Sequence, residues 1–315
     1  MGNDIELLES IKAYLNKCSS MKDLGEAAYI LGIKIYRDRS RRLIGISQST
    51  YLDKIFKKFN MGQSKKGFLP VLQGVRLSTA QCPTLVAERE KMSVIPYASA
   101  ICSIMYAMLC TRPDVNLAIS LVGRYQSDLG MEHWIVVKNI LKYLKRTKDM
   151  FLIYGGVEEL VIKGYVDASF AIDLDDSKSQ TGYMYILNDG AIGWCSCKQS
   201  VMAGSTCEAE YIAVLEAARE GVWMKEFNTD LGVILNASGP MNLLCDNTGA
   251  IAIANKKTKH IKRRFNSIRE YIKDGDIDIC KVHTDLNVAD PLTKPLPRAK
   301  HDQHQNSMGV RFITM

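Results

Sequence analysis

The chain has 315 residues, enough for two ordinary domains at roughly 100–200 residues each. With 47% apolar and 24% charged residues it has a globular composition, which excludes disordered, collagenous and coiled-coil classes. The net charge of +7 divides unevenly: residues 1–150 carry 23 Lys/Arg against 13 Asp/Glu, whereas 151–315 carry 18 against 21. A basic half suited to gripping a polyanion thus precedes a mildly acidic half suited to a carboxylate cluster, unless the charges are simply scattered over a solvated surface.

In chain order, residues 3–17 space Ile5, Leu8, Ile11 and Leu15 as a helix does, with Asn3 or Asp4 as N-cap. AAYILGIKIYR and RLIGISQ alternate around a polar RDRSR, which predicts a β-hairpin with a basic turn. Residues 49–59 return to helical spacing. Residues 62–92 are rich in Gly, Pro, Ser and charge and read as a surface linker. Two helices follow over 97–122 and 130–147, the first interrupted where Pro113 disfavours helical geometry at Arg112. Tyr97, Met105, Tyr106 and Leu109 are expected in its core. Beyond residue 155, LVIKGYVDASF, TGYMYILND and AIGWCSCKQ predict an antiparallel meander. A long helix over 206–227, a strand at MNLLCDN, a helix at GAIAIANKK, a basic helix ending at Gly275 and a strand at DIDICKVHT complete a mixed α/β layer. A last short helix at 289–294 is cut off by Pro295 and Pro297, leaving His301 and His304 in a polar tail.

Four acidic residues stand at strand ends and helix starts, where their carboxylates can converge. Asp167 is mid-strand among apolar residues, an expensive place for an unpaired carboxylate. Glu210 lies in the first turns of the long helix, Asp246 ends LLCDN, and Asp290 follows the final strand. Each alone also suits an ordinary role: a solvated helix face for Glu210, a strand-end turn for Asp246, a cap for Asp290. Together they would repel unless a divalent cation joined them, and all-oxygen ligation suits Mg²⁺ or Mn²⁺. Two such ions about 4 Å apart are the usual device for phosphodiester hydrolysis.

The order β-β-β-α-β-α-β-α with Asp, Glu, Asp and Asp in turn resembles ribonuclease H. GYVDASFAIDLDDSKSQTGY, KQSVMAGSTCEAEYIAVLEAA, CDNTGAIAIA, TKHI and VHTDLNVADPLTKPL resemble the ribonuclease H of Ty1/copia-type retrotransposon polyproteins. Upstream, AYILGIKIYRDRSRRLIGISQSTYLDKIFKKFNM and PYASAICSIMYAMLCTRPDVNLAISLVGRYQSD resemble the end of that family's reverse transcriptase. The resemblance covers the chain through about residue 310. It implies an α/β fold: a ribonuclease H-like mixed five-stranded sheet with helices, preceded by a partial palm/thumb/connection-like α+β segment. The implied divisions are 1–61 palm/thumb, 62–92 linker, 93–155 helical thumb/connection, 156–298 ribonuclease H-like and 299–315 tail.

The resemblance further implies two Mg²⁺ ions, with Mn²⁺ as substitute, held by Asp167, Glu210, Asp246 and Asp290, and hydrolysis of the RNA strand of an RNA–DNA hybrid. Glu208 is the fallback for Glu210, since the two stand about 200° apart on a helix and cannot both face the site. Ser169, Ser205 and Asn247 are candidates to contact sugar or scissile phosphate, or else plain turn formers. His283 matches a mobile histidine seen shortly before the last Asp in the broader fold. Lys259, Lys262, Arg263 and Arg264 lie in a basic run that would grip phosphates, and Arg37, Arg39, Arg41, Arg42, Lys54, Lys57 and Lys58 would lie near the primer–template path. The family's paired polymerase aspartates precede the stretch matching Gly2-Asn3-Asp4, so polymerisation is not expected, and strands of the first 60 residues should lack sheet partners. A nucleic-acid-binding remnant without turnover is the alternative, and other parts of a polyprotein are further partners.

Nine cysteines without an N-terminal secretory pattern, or a myristoylation pattern at Glu6, imply free thiols in a reducing cytoplasmic or nuclear compartment. Cys195 and Cys197 alternate onto one strand face and lack the second pair of ligands that structural zinc needs. No stretch approaches the ~18 uncharged apolar residues of a membrane span.

Overall fold

The computed structural model describes residues 4–156, 160–232, 239–255 and 267–313. Two five-stranded sheets organise it. The first contains β1 (Tyr29–Ile30), β2 (Ile33–Asp38), β3 (Leu43–Ser47), β4 (Phe151–Gly155) and β10 (Val310–Arg311), antiparallel in that order. The β2–β3 hairpin is the one predicted around RDRSR. Its strands do not lack partners: β3 pairs with β4, and β4 with the C-terminal β10. The preceding α1 (Ile5–Cys18), capped by Asp4 accepting from Leu7 N at 2.9 Å, buries no side chain.

The second sheet has the order β7-β6-β5-β8-β9, with β5 (Lys163–Ser169), β6 (Gln180–Leu187), β7 (Gly190–Lys198), β8 (Met241–Cys245) and β9 (Ile277–Lys281). β5, β6 and β7 form the antiparallel meander, and β8 and β9 run parallel to β5. Asn188 and Asp189, both at positive φ, close the two-residue β6–β7 turn, as such hairpins require. Parallel pairing of β5 with β8 needs a crossover, supplied by α7 (Thr206–Leu231). Ser205 Oγ caps α7 by accepting from Glu208 N at 3.2 Å, and Gly232 at φ +62° ends it. With α8 (Thr248–Asn255) and α9 (Ser267–Lys273), this is the expected ribonuclease H-like arrangement.

Helices α2 (Ser49–Lys58), α4 (Tyr97–Thr111), α5 (Asn116–Val122) and α6 (Met131–Arg146) pack together as a helical layer, with α3 (Val86–Ser93) leading into α4. Leu52, Ile101, Ile104, Ile140, Leu141 and Leu144 are its core. Of the expected core positions Tyr97 is buried, Met105 and Tyr106 are half-buried and Leu109 is exposed: an apolar residue on the far helix face has no layer to cover it. A separate core under β5–β9 is closed by α7. A third cluster, including Leu152, Met184, Leu292, Met308 and Val310, joins the two sheets.

Two expected segments differ. Residues 62–92 are no free linker: they contain α3 and a 3₁₀ turn at Thr79–Gln81, and bury Val71 and Met92. The expected tail is ordered over 299–313, the part that is described: it carries α10 (Arg298–Ser307) and β10, and His301, His304 and Gln305 are buried. Gln305 Nε2 donates to Asp114 Oδ2 at 2.9 Å, within a buried network where Arg112 pairs with Asp114 at 2.6 Å and Tyr143 donates to it at 2.5 Å. Among the described residues no single helix is long and apolar enough to cross a membrane.

Candidate active site

β5 and β8 are adjacent parallel strands, so residues leaving their C-terminal ends share one rim of the sheet. Asp167 occupies that end of β5 and Asp246 the residue after β8. Asp290 reaches the same rim on a 3₁₀ turn, Asp290–Leu292, rather than on the expected helix. Buried Asn287 pins the turn to β5 by donating to Val166 O at 2.9 Å. Ser196 Oγ, donating to Leu292 O at 2.5 Å, holds its other side.

One oxygen from each of Asp167, Asp246 and Asp290 lies within 4.8 Å of the other two. Glu210, Cys245 and Asp246 form a second group within the same limit, so Asp246 is common to both. Glu210 is buried toward this rim, whereas Glu208 is exposed and accepts from Gly204 N at 2.8 Å in the helix's first turn. The structure therefore brings Asp167, Glu210, Asp246 and Asp290 together.

Electrostatics are severe here. Burial pushes Asp167 up to about 7, with Asp290 and Asp246 adding to the shift and Lys294 and Thr293 opposing it. Burial, reinforced by Asp167 and Asp246, pushes Glu210 up to about 9. Lys294 Nζ lies 3.0 Å from Asp290 and 3.5 Å from Asp167. Burial works against its charge, but the two carboxylates outweigh it and hold its pKa above the ordinary value. The Thr293 hydroxyl donates to Asp167. Glu210 Oε2 is buried without a hydrogen-bond partner among the described residues, whereas the buried Asp290 carboxylate faces the Lys294 and Lys300 ammonium groups at 3.0 and 3.5 Å.

Buried acids repelling one another, with Glu210 Oε2 left unpartnered, fit a hard divalent cation. Burial pushes the Cys245 thiol up to about 12, which favours the neutral thiol, and a hard cation prefers the carboxylate oxygens around it. Cys195 and Cys197, on one face of β7 as alternation demands, belong to neither group.

The other expected residues are placed as follows. Ser169 is half-buried at the end of β5, on the Asp167 face. Ser205 caps α7, and Asn247 Oδ1 accepts from Ala250 N at 3.0 Å at the start of α8. His283 is exposed, its Nδ1 accepting from Asp285 N at 3.2 Å, and it joins neither ligand group. Lys259, Lys262, Arg263 and Arg264 lie outside the described residues. Sequence reading missed Thr293, Lys294 and Asn287 as parts of the site. Their signal was proximity to Asp290 within the run NVADPLTK.

No protein-family model matches the chain. The retrovirus-related Pol polyprotein from transposon TNT 1-94 of Nicotiana tabacum is 40% identical over 315 residues, 98% of this chain and 23% of that protein. The retrovirus-related Pol polyprotein from transposon RE2 of Arabidopsis thaliana is 30% identical over 314 residues, 98% of this chain and 21% of that protein. Among solved structures, LC11-RNase H1 in complex with RNA/DNA hybrid aligns at 14% identity over 42% of this chain and 93% of that one, with a TM-score of 0.31. The chain spans less than a quarter of the length of the two Pol polyproteins. It belongs to the Ty1/copia-type retrovirus-related Pol polyproteins.

Proposed function

We propose that this chain is a metal-dependent ribonuclease H that hydrolyses the RNA strand of RNA–DNA hybrids. The observation that carries the reading is the convergence of Asp167, Asp246 and Asp290 oxygens within 4.8 Å, with Glu210 beside Asp246. Membership of a retroelement Pol family supports it. The four carboxylates would hold two Mg²⁺ ions, with Asp246 positioned to be shared. When bound, such ions supply activation of the attacking water and stabilisation of the leaving 3′ oxygen. Asn287 and Ser196 keep the Asp290 turn on the sheet rim, and Thr293 orients Asp167. Lys294 neutralises Asp167 and Asp290 before a cation arrives. Ser169, Ser205, Asn247 and His283 remain substrate-side candidates, as do Lys259, Lys262, Arg263 and Arg264 for phosphate binding.

Incubation with a labelled RNA–DNA hybrid and Mg²⁺ should release RNA fragments, and Asp167→Asn should abolish release while leaving the fold intact. Absence of cleavage by the unaltered chain would sink the reading. The ion pairs from Lys294 favour one second reading, a nucleic-acid-binding chain without turnover, because they partly satisfy the carboxylates already. Salt-sensitive hybrid binding without cleavage is its signature.

A further inference from the structure

Residues 74–77 do not run out into solvent. The following turn ties them to the β5–β6 connection: Thr79 donates its N–H to Asp175 at 3.0 Å and its hydroxyl at 2.8 Å. On the other side, Ser78 O lies 3.2 Å from His133 Nε2 on α6. Beneath this strap is a cavity of about 350 Å³, walled by Arg76, Arg124, Ser169, Phe170 and Pro295 among others. That volume lies at the lower end of the range for small-molecule sites, ~300–1,000 Å³.

Two walls continue into the carboxylate cluster. Ser169 lies two residues beyond Asp167 on the same strand face, about 7 Å along β5. Pro295 follows Lys294, whose Nζ is 3.5 Å from Asp167. The two arginines differ in what they can do. Arg124 pairs with Asp173 at 2.6 Å and donates to Gln180 at 2.5 Å, so it builds the wall. Arg76 is exposed and enters no ion pair among the described residues, and Phe170 is 41% exposed.

We propose that this cavity is a subsite for one nucleotide of the substrate strand, next to the phosphate held at the carboxylates. Arg76 meets the nucleotide's phosphate, Phe170 packs against its sugar or base, and the Ser169 hydroxyl bonds a sugar or phosphate oxygen. The segment between α2 and α4 thereby becomes a substrate-binding wall of a site whose carboxylates all lie on the second sheet and its connections. This inference rests on the nuclease reading above and adds Arg76 as a substrate-binding residue.

The test measures binding of a fluorescein-labelled RNA–DNA hybrid to the full chain by anisotropy in EDTA, across a salt series, alongside hybrid cleavage in Mg²⁺. Arg76→Glu should raise Kd roughly tenfold and flatten the slope of log K against log salt by about one. Arg76→Lys should recover most of the affinity. Lys91→Glu makes the same charge change on exposed α3, outside the cavity, and should shift Kd less than twofold. Phe170→Ala should raise KM with little change in kcat. Equal Kd for Arg76→Glu and Lys91→Glu overturns the subsite. Cleavage by the unaltered chain with Kd and KM unchanged in Arg76→Glu overturns the subsite alone. Hybrid binding without cleavage overturns the nuclease reading, and the Kd ratio still decides the subsite. Failure of the unaltered chain to bind hybrid overturns both.

Discussion

Gly182 stands directly across the β5–β6 ladder from Asp167, and a Cβ at that glycine would come within 2.6 Å of Thr293 Cγ2. The same Cβ would lie 2.8 Å from Leu292 Cβ, so the missing side chain makes room for the turn that delivers Asp290, Thr293 and Lys294. Gly182→Val should leave the meander formed, because valine suits a strand. It should destabilise by about 1–3 kcal/mol through overpacking and lower hybrid cleavage about a hundredfold by displacing Asp290. Thermal unfolding and single-turnover cleavage measure the two effects separately; wild-type cleavage in a folded Gly182→Val would refute the packing argument.

The raised carboxylates make stability pH-dependent when no divalent cation is present. Asp167 and Glu210 bind protons more tightly folded than unfolded, since their ordinary values of 3.8 and 4.5 rise to about 7 and 9. Their favourable contribution is therefore complete below about pH 4 and is lost as pH rises through 7 and 9. Melting in EDTA should show stability falling over that window, with a shallower fall in Glu210→Gln. Mg²⁺ should restore more stability at pH 8.5 than at pH 5, because a cation binds ionised carboxylates. A Mg²⁺ effect independent of pH would contradict the assignment of these acids as ligands.

Lys294 is the resident positive charge of the cluster. Lys294→Met keeps its length and removes its charge, leaving Lys300, 3.5 Å from Asp290, as the remaining cation against the repulsion of Asp167 and Asp290. The variant should melt several degrees lower in EDTA at pH 8, with much of the deficit recovered in millimolar Mg²⁺. An equal deficit under both conditions would mean that the lysine acts through packing alone.

Glu210 and Glu208 separate cleanly by environment. Glu210→Gln should reduce cleavage by at least about a hundredfold, comparable to losing a metal ligand's support or more. Glu208→Gln changes an exposed side chain that bonds Gly204 N, so cleavage should stay within about twofold and stability within about 0.5 kcal/mol. Parallel kinetics of both variants decide the matter, and a reversed ranking would move the ligand to Glu208.

The buried Arg112–Asp114 pair ties α10 to the helical layer. Asp114→Ala strands a buried guanidinium and should cost about 3–5 kcal/mol. Gln305→Leu removes a donor to Asp114 and Tyr143 and should cost about 1–3 kcal/mol. Urea titration of both, with unchanged m-values, would show that residues 298–311 fold with the rest rather than fraying independently.

Local pattern was enough for the elements of the second sheet, because strand alternation, helical spacing and turn residues act within a few positions of chain. It also singled out Asp167, since a carboxylate amid Tyr165, Val166 and Ala168 is anomalous for a strand interior. Hydropathy could not reveal α10, whose run RAKHDQHQNS buries His301, His304 and Gln305 instead of leucines. Such polar burial is tolerable only when partners from α4–α6 and the residues around them arrive, a condition set across nearly 200 residues of separation. For the same reason residues 62–92 looked like a linker: what holds them, Asp175 and His133, lies elsewhere in the chain. The resemblance had favoured Glu210 with Glu208 as fallback, and burial separates the two; the roles of Gly182, Asn287 and Lys294 followed from three-dimensional packing alone. Composition and charge had divided the chain into a basic half and an acidic half. Folding crosses that division, pairing β10 with β4 and placing the basic half's Arg76 in one cavity wall with Ser169 and Pro295 of the acidic half, because burial and ion pairing act through space rather than along the sequence.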